Sequence, residues 1–123
     1  MTINNLTAAD FETTIADNSI VLIDFWASWC GPCRAFAPVF DRSSQSHPDV
    51  VHAKVDTEAE HRLAAALEIQ AIPTIMAFRD GILVYRQTGA MPAAALEDLI
   101  TRVKALDMAE VRATIAAKES ASG

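Results

Sequence analysis

Basic residues are in short supply. Lys and Arg together number 10 against 16 Asp and Glu, so the chain carries a formal charge of −6. Binding to a phosphate backbone rests on clustered Lys and Arg, and the absence of any such cluster argues against DNA or RNA as a partner. Long hydrophobic runs are missing too. The longest candidate, SIVLIDFWASW, is interrupted by Asp24 and falls short of the roughly 18 apolar residues that suggest a membrane span, so no membrane partner is expected. The opening MTINNLTAADFETT lacks a basic segment followed by an apolar one, so no secretory signal is expected and the cytoplasm is the expected compartment. Cysteine is scarce as well: the chain has 2, Cys30 and Cys33, both inside FWASWCGPCR. Cytosolic thiols are kept reduced, so a pair placed there is expected to do chemistry or bind a metal rather than staple the fold.

What is present is the balance of a compact soluble domain, with 51% apolar and 21% charged residues in 123. A chain of this size buries roughly two thirds of its unfolded surface and needs neither metal nor disulfide to fold. Thr7 followed by Asp10 reads as an acidic capping box opening a helix over 8–16, with Phe11 and Ile15 on its apolar face. SIVLIDFWA is apolar on both parities, the mark of a strand covered on both faces. From Pro32 the apolar positions Phe36, Val39 and Phe40 revert to helical spacing, with a kink expected at Pro38. DVVHAKVD is a second strand and EAEHRLAAALEI a helix of good helix formers. TIMAFRDGILVYRQTG reads as a hairpin turning at Asp80-Gly81. A last amphipathic helix lines up Leu96, Leu99, Ile100 and Val103. The order α-β-α-β-α-β-β-α predicts an α/β fold, a central mixed β-sheet with helices on both faces. Residues 1–106 form the expected domain, and 107–123 an extension with a short helix on Met108, Val111 and Ile115 before a frayed tail.

Three uses of the cysteine pair compete. Cys30 and Cys33, with His47 and His52 further on, satisfy a common zinc-finger spacing, so a zinc-binding interaction module is the alternative reading. Its context is wrong: Pro48 and Asp49 break any helix between the histidines, and His52 lies in a strand pattern. His47 and His61 then read as surface residues. Two buried thiols acting as small apolar groups are a second possibility. The third is redox exchange. The pair stands where a central strand ends and a helix begins, the end of an α/β sheet where chemistry gathers. Cys30 at the first helical turn meets unpaired N–H groups and the positive end of the helix dipole, which favour an exposed thiolate. Pro32 suits that turn, and Cys33, three residues on, lies on the same face. An attacking thiolate with a resolving thiol beside it is what thiol–disulfide exchange requires.

These residues resemble the thioredoxin family. DFWASWCGPC is similar to its active-site segment, AIPT at residues 71–74 to the loop with its cis-proline, FRDG to its final hairpin and TGAM to the glycine loop after it. The likeness covers about residues 6–106 and implies the thioredoxin fold. It further implies that Cys30 attacks and Cys33 resolves, and that Asp24 helps deprotonate Cys33. That last role fits a carboxyl whose pKa is raised by burial. Lys54 matches the family's lysine near that aspartate, while the sequence fits a solvated strand-edge lysine as well. By resemblance Ile72 offers its backbone to a substrate chain beside cis Pro73, and Trp29, Gly31, Pro32, Gly89 and Ala90 complete a weakly polar platform. Trp26 is expected mainly to pack, and Arg34 stands where lysine is commoner. The intervening Gly-Pro pair implies reduction of protein disulfides. The implied partners are disulfide-containing proteins and an NADPH-dependent thioredoxin reductase, with no cofactor bound by this chain itself and a monomer as its state.

Overall fold

The both-parity apolar run at Ile20–Trp26 becomes the middle strand of a five-stranded sheet in the computed structural model, which describes residues 3–122. In chain order the elements are β1 (Ile3–Asn5), α1 (Ala8–Asp17), β2 (Ile20–Trp26), α2 (Gly31–Ser46), β3 (Val51–Asp56), α3 (His61–Ala66), β4 (Thr74–Arg79), β5 (Ile82–Thr88), α4 (Ala93–Ala105) and α5 (Met108–Ser122). The strands lie in the order β1-β3-β2-β4-β5. β1 and β2 both run parallel to β3, while β4 is antiparallel to β2 and to β5.

Alternation along β2 divides the core in two. Ile20 and Leu22 join Phe36 and Phe40 of α2 and Leu96, Leu99, Ile100 and Val103 of α4 on one side of the sheet. Val21, Ile23 and Phe25 pack with Phe11 and Ile15 of α1 on the other. Successive strand side chains point to opposite faces, so Asp24 continues the side that carries α2. The hairpin turns at Asp80 and Gly81 with φ of +53° and +81°. Two consecutive positive φ values are what a two-residue turn needs to match strand twist. A bulge at Val84 shifts the pairing so that Ala77 faces Tyr85 and Phe78 faces Leu83.

Three departures from expectation have physical reasons. β1 was not foreseen because INN is short and polar; it exists through its pairing with β3. α3 is shorter than the sequence suggests. At its start the Asp56 carboxylate takes the N–H groups of Glu58 and Ala59 into a turn, and beyond its end Glu68 adopts φ +56°. α2, in keeping with the sequence, holds Pro38 within one helix and loses the single hydrogen bond that proline cannot donate. α5 continues to Ser122 instead of fraying after a short helix, opened by Asp107, whose carboxylate accepts the Glu110 N–H at 3.2 Å. Arg79 ties this end of the molecule together by donating to the carbonyls of Val103 and Lys104 at 2.6 and 3.1 Å. Met1, Thr2 and Gly123 lie outside the described residues.

Phe40 is fully buried between the Phe36 ring and the His52 ring, whose centroids lie 5.7 and 5.0 Å away. Phe40→Ala should cost about 3–5 kcal/mol in urea unfolding, whereas Val111→Ala, at a half-buried position of the largely exposed α5, should cost under about 1 kcal/mol. A Val111→Ala cost equal to that of Phe40→Ala would place α5 in the cooperative core.

Candidate active site

At the C-terminal end of β2 the chain turns through Ala27, Ser28 and Trp29 into α2, and Cys30 is the N-cap of that helix. Its Sγ accepts the backbone N–H of Cys33 at 3.2 Å. The orphan donor of a first turn is thereby aimed at sulfur, where a negative charge is favoured. Cys30 and Cys33 are joined in a disulfide, with Cα atoms 5.2 Å apart. Gly31 and Pro32, exposed in the first turn, bring the second cysteine round onto the sulfur of the first. Cys30 departs from the exposed thiolate the sequence suggests: it is 3% exposed and Cys33 2%. The capping position draws the sulfur inward, and only its edge reaches a surface hollow of about 480 Å³.

One wall of that hollow is Trp29, Cys30, Gly31 and Pro32; the other is Ile69, Gln70, Ala71 and Ile72, with Thr57 between them. Trp29 is 64% exposed, an unusual position for a large ring in a chain that keeps its others buried or half-buried. The Ile72 carbonyl oxygen lies 3.8 Å from the Cys30 Sγ. The Ile72-Pro73 peptide bond is cis. Gly89 and Ala90 do not line the hollow, but the Gly89 N–H donates to the Pro73 carbonyl at 2.7 Å and so ties that loop to β5. Gly89 has φ +106°, a conformation that a Cβ would strain. Arg34 donates to the Ser28 carbonyl at 2.8 Å and holds the Trp29 turn against α2. Thr57, Ile69 and Gln70 were missed by sequence reasoning, and Ala71 entered it only as the first residue of the AIPT loop. They carry no chemical signature, and the end of β3 and the α3–β4 connection reach Cys30 only through the sheet order.

Asp24 lies deeper on the same side of the sheet, 0% exposed, and neither carboxylate oxygen has a hydrogen-bond partner. In the parallel register it faces Lys54, whose Nζ is 3.8 Å from its Oδ2 and 4.9 Å from the centre of the Trp26 ring. Lys54 is therefore no strand-edge residue: β1 pairs outside β3, and the ammonium is held between a carboxylate and an aromatic face. Trp26 is thus more than packing. Burial pushes the Asp24 pKa up from 3.8 to about 6, against the smaller opposing pull of the Lys54 charge.

The zinc spacing does not assemble into a site. The two sulfurs are bonded to each other. The buried His52 ring donates from Nδ1 to the Val50 carbonyl at 3.0 Å and accepts the Ser43 hydroxyl on Nε2 at 2.8 Å. His47, partly exposed, is instead bound to Glu97 at 2.7 Å, and His61 is exposed. Among the described residues no group of three or more His, Cys, Asp or Glu is placed to hold a metal.

A family model described as thioredoxin matches residues 2–102. The chain belongs to the thioredoxin family. A Streptomyces coelicolor protein bearing the name thioredoxin 2 is 48% identical over 118 residues, 96% of this chain and 88% of its own. Since 118 residues exceed the 106 up to Leu106, that match reaches into the extension. Thioredoxin-1 of Saccharomyces cerevisiae is 38% identical over 72% of this chain and 85% of its own. The oxidized form of mitochondrial thioredoxin 3 from the same yeast superposes with a TM-score of 0.75 at 36% identity, covering 81% of this chain and 94% of that one. A Halobacterium salinarum thioredoxin mutant reaches 0.79 at 32% identity over 85% and 93% of the two chains. As a member of the thioredoxin family, this chain is a thiol–disulfide oxidoreductase built on a mixed sheet between two helical layers. Thioredoxins act on disulfide substrates and are re-reduced by a reductase.

The buried Asp24 sets a pH signature. A carboxyl pKa raised on folding means that the native state holds a proton the unfolded chain has released, so the group destabilises the fold above its unfolded pKa. Asp24→Asn should therefore gain stability relative to the wild type as pH rises from 3.8, reaching about 3 kcal/mol and levelling above pH 6. Unfolding of both oxidised proteins in urea across pH 3.5–8 measures it. A difference independent of pH would mean that Asp24 is solvated.

Proposed function

We propose that this chain works in the reducing direction, passing two electrons from its Cys30-Cys33 dithiol to the disulfides of protein substrates. The observation that carries the reading is the Cys30 sulfur, capping α2 and opening at its edge into a hollow walled by Trp29 and the Ile72 backbone. With the pair reduced, the Cys30 thiolate attacks one substrate sulfur, and the other substrate sulfur departs as a thiolate. Cys33 then loses its proton and attacks the Cys30 Sγ, which releases the second substrate sulfur and regenerates the disulfide. Two electrons pass to the substrate, whose sulfurs leave as thiolates; the Cys33 proton, and the one Cys30 released to solvent in becoming a thiolate, return to them as they leave.

In this reading Asp24 accepts the Cys33 proton, and a pKa of about 6 lets it do so near neutrality. Lys54, 3.8 Å away, steadies the carboxylate as it ionises. Trp29, Gly31, Pro32 and Ile72 form the face on which an extended substrate segment lies, with Ile72 offering its backbone as in strand addition. Pro73, Gly89 and Ala90 complete its border; the Gly89 bond to the Pro73 carbonyl supports that placement. The oxidised pair returns to the dithiol through an NADPH-dependent thioredoxin reductase, so this chain binds no cofactor of its own. Such a cycle belongs in the reducing cytoplasm, where the chain acts as a monomeric electron carrier. Among the described residues no helix is long and apolar enough to cross a membrane. The extension from residue 107 stands outside the exchange chemistry.

Insulin reduction with NADPH and thioredoxin reductase tests activity and partner together. Cys30→Ser should abolish turnover, whereas Cys33→Ser should trap protein substrates as mixed disulfides on Cys30, because only the resolving step is lost. Mass spectrometry of the adducts reads this out. Equal trapping by the two variants would reverse or dissolve the assigned roles.

A further inference from the structure

We propose that Arg86 is a positioning residue for substrate binding, whose guanidinium, reaching from β5, clasps the end of α3 and so fixes the wall of the hollow opposite Trp29. The proposal rests on the reading that this hollow receives the substrate.

The wall begins where α3 stops. That helix has 6 residues, too few to be stable alone, and its last turn closes on backbone bonds, the Glu68 N–H to the Ala65 carbonyl and the Ile69 N–H to the Ala64 carbonyl. Arg86 takes the carbonyls just beyond: Nη1 donates to that of Leu67 and Nη2 to that of Glu68, each at 2.6 Å. Two charge-assisted bonds from one planar group fix orientation as well as distance. They grip the chain where Glu68 turns to φ +56°, immediately before Ile69, Gln70, Ala71 and Ile72. The far end of the same segment has its own anchors. The Thr74 hydroxyl donates to the Ala71 carbonyl at 2.6 Å and the Gly89 N–H to the Pro73 carbonyl at 2.7 Å. Arg86 and Gly89 both belong to the stretch that leaves β5, so one strand end sets the wall at both of its ends.

The consequence is selective. A substrate segment laid along the wall reads the position of backbone groups, and misplacement by about an ångström weakens such recognition. A small disulfide that reaches Cys30 from the open side of the hollow does not depend on the wall. Arg86 is exposed and touches neither sulfur in any bond described, so its influence is on substrate binding and not on the exchange step. Lysine cannot replace it, since a single ammonium lacks the fork that spans two carbonyls.

The test compares Arg86→Met and Arg86→Lys with the wild type, using insulin and a small aromatic disulfide, 5,5′-dithiobis(2-nitrobenzoate), as substrates. For Arg86→Met the KM for insulin should rise about tenfold with kcat little changed, while the rate with the small disulfide stays within about twofold. Arg86→Lys should resemble Arg86→Met, although it keeps the charge. Far-UV circular dichroism checks folding; if Arg86→Met does not fold, Arg86→Lys carries the same comparison. An unchanged insulin KM in a folded variant overturns the proposal, and so does a proportional loss on both substrates, which marks general damage to the fold. A wild type that fails to reduce insulin overturns the underlying function and this proposal with it. A wild type that reduces insulin and is matched by both variants overturns the role of Arg86 alone.

Discussion

Strand β2 is covered by helices on both faces and paired on both edges, and the active end of the molecule depends on that burial. Val21, Leu22, Ile23 and Phe25 are fully removed from water, and large apolar side chains treated this way contribute roughly 1.5–3 kcal/mol each. That gain offsets the unpaired polar groups buried in the strand, the Trp26 indole N–H and, more costly, the carboxyl of Asp24, which has no hydrogen-bond donor to replace its lost hydration. The strand is thus a rigid shelf with a raised-pKa acid set into it. Its last residue, Trp26, delivers the chain into the turn from which the cysteine helix starts.

Two electrostatic devices of different kind meet at that place. Cys30 is served by backbone: the open N-terminal turn of α2 presents the Cys33 N–H to its sulfur, and a thiolate there gains from the helix dipole. Asp24 is governed by side-chain surroundings, where desolvation outweighs the ammonium of Lys54. One group is thereby biased toward the charged form and the other toward the protonated form, in neighbouring layers of the same half of the fold. A carboxyl whose pKa lies near neutrality suits the role proposed for it, acceptor of the Cys33 proton.

The hollow beside Cys30 is assembled from elements far apart in the chain, and each brings its own fastening. Arg34 ties the Trp29 turn to α2, Thr57 binds the Trp26 carbonyl through its hydroxyl at 3.0 Å, and Gly89 holds the Pro73 loop. Short loops fastened in this way to strands and helices keep a fixed shape around a reactive sulfur without being buried themselves.

Much of this was legible in the residues, and the limits have a common cause. The parity of SIVLIDFWA, the i, i+3, i+4, i+7 spacing of Leu96, Leu99, Ile100 and Val103, the Asp80-Gly81 turn and the Thr7-Asp10 cap are local patterns, and each became the element it suggested. Cys30, Pro32 and Cys33 announced a helix start carrying two thiols for the same local reason. What local pattern could not hold was pairing and reach. INN is no strand until β3 lies beside it, and Lys54 of β3 is off the sheet edge only because β1 pairs outside it. Thr57, Ile69, Gln70 and Ala71 carry no chemistry until the sheet order brings them to a cysteine from another part of the chain. His47 and His52 matched a metal spacing, but burial committed one ring to Ser43 and Val50 and a hydrogen bond to Glu97 took the other. Side-chain periodicity, capping and turn chemistry act over a few residues, so the sequence by itself determined the elements and the redox pair. Register, burial and the partners of long polar side chains depend on contacts across the fold, so only the tertiary structure decided the surroundings of Asp24 and the walls of the hollow.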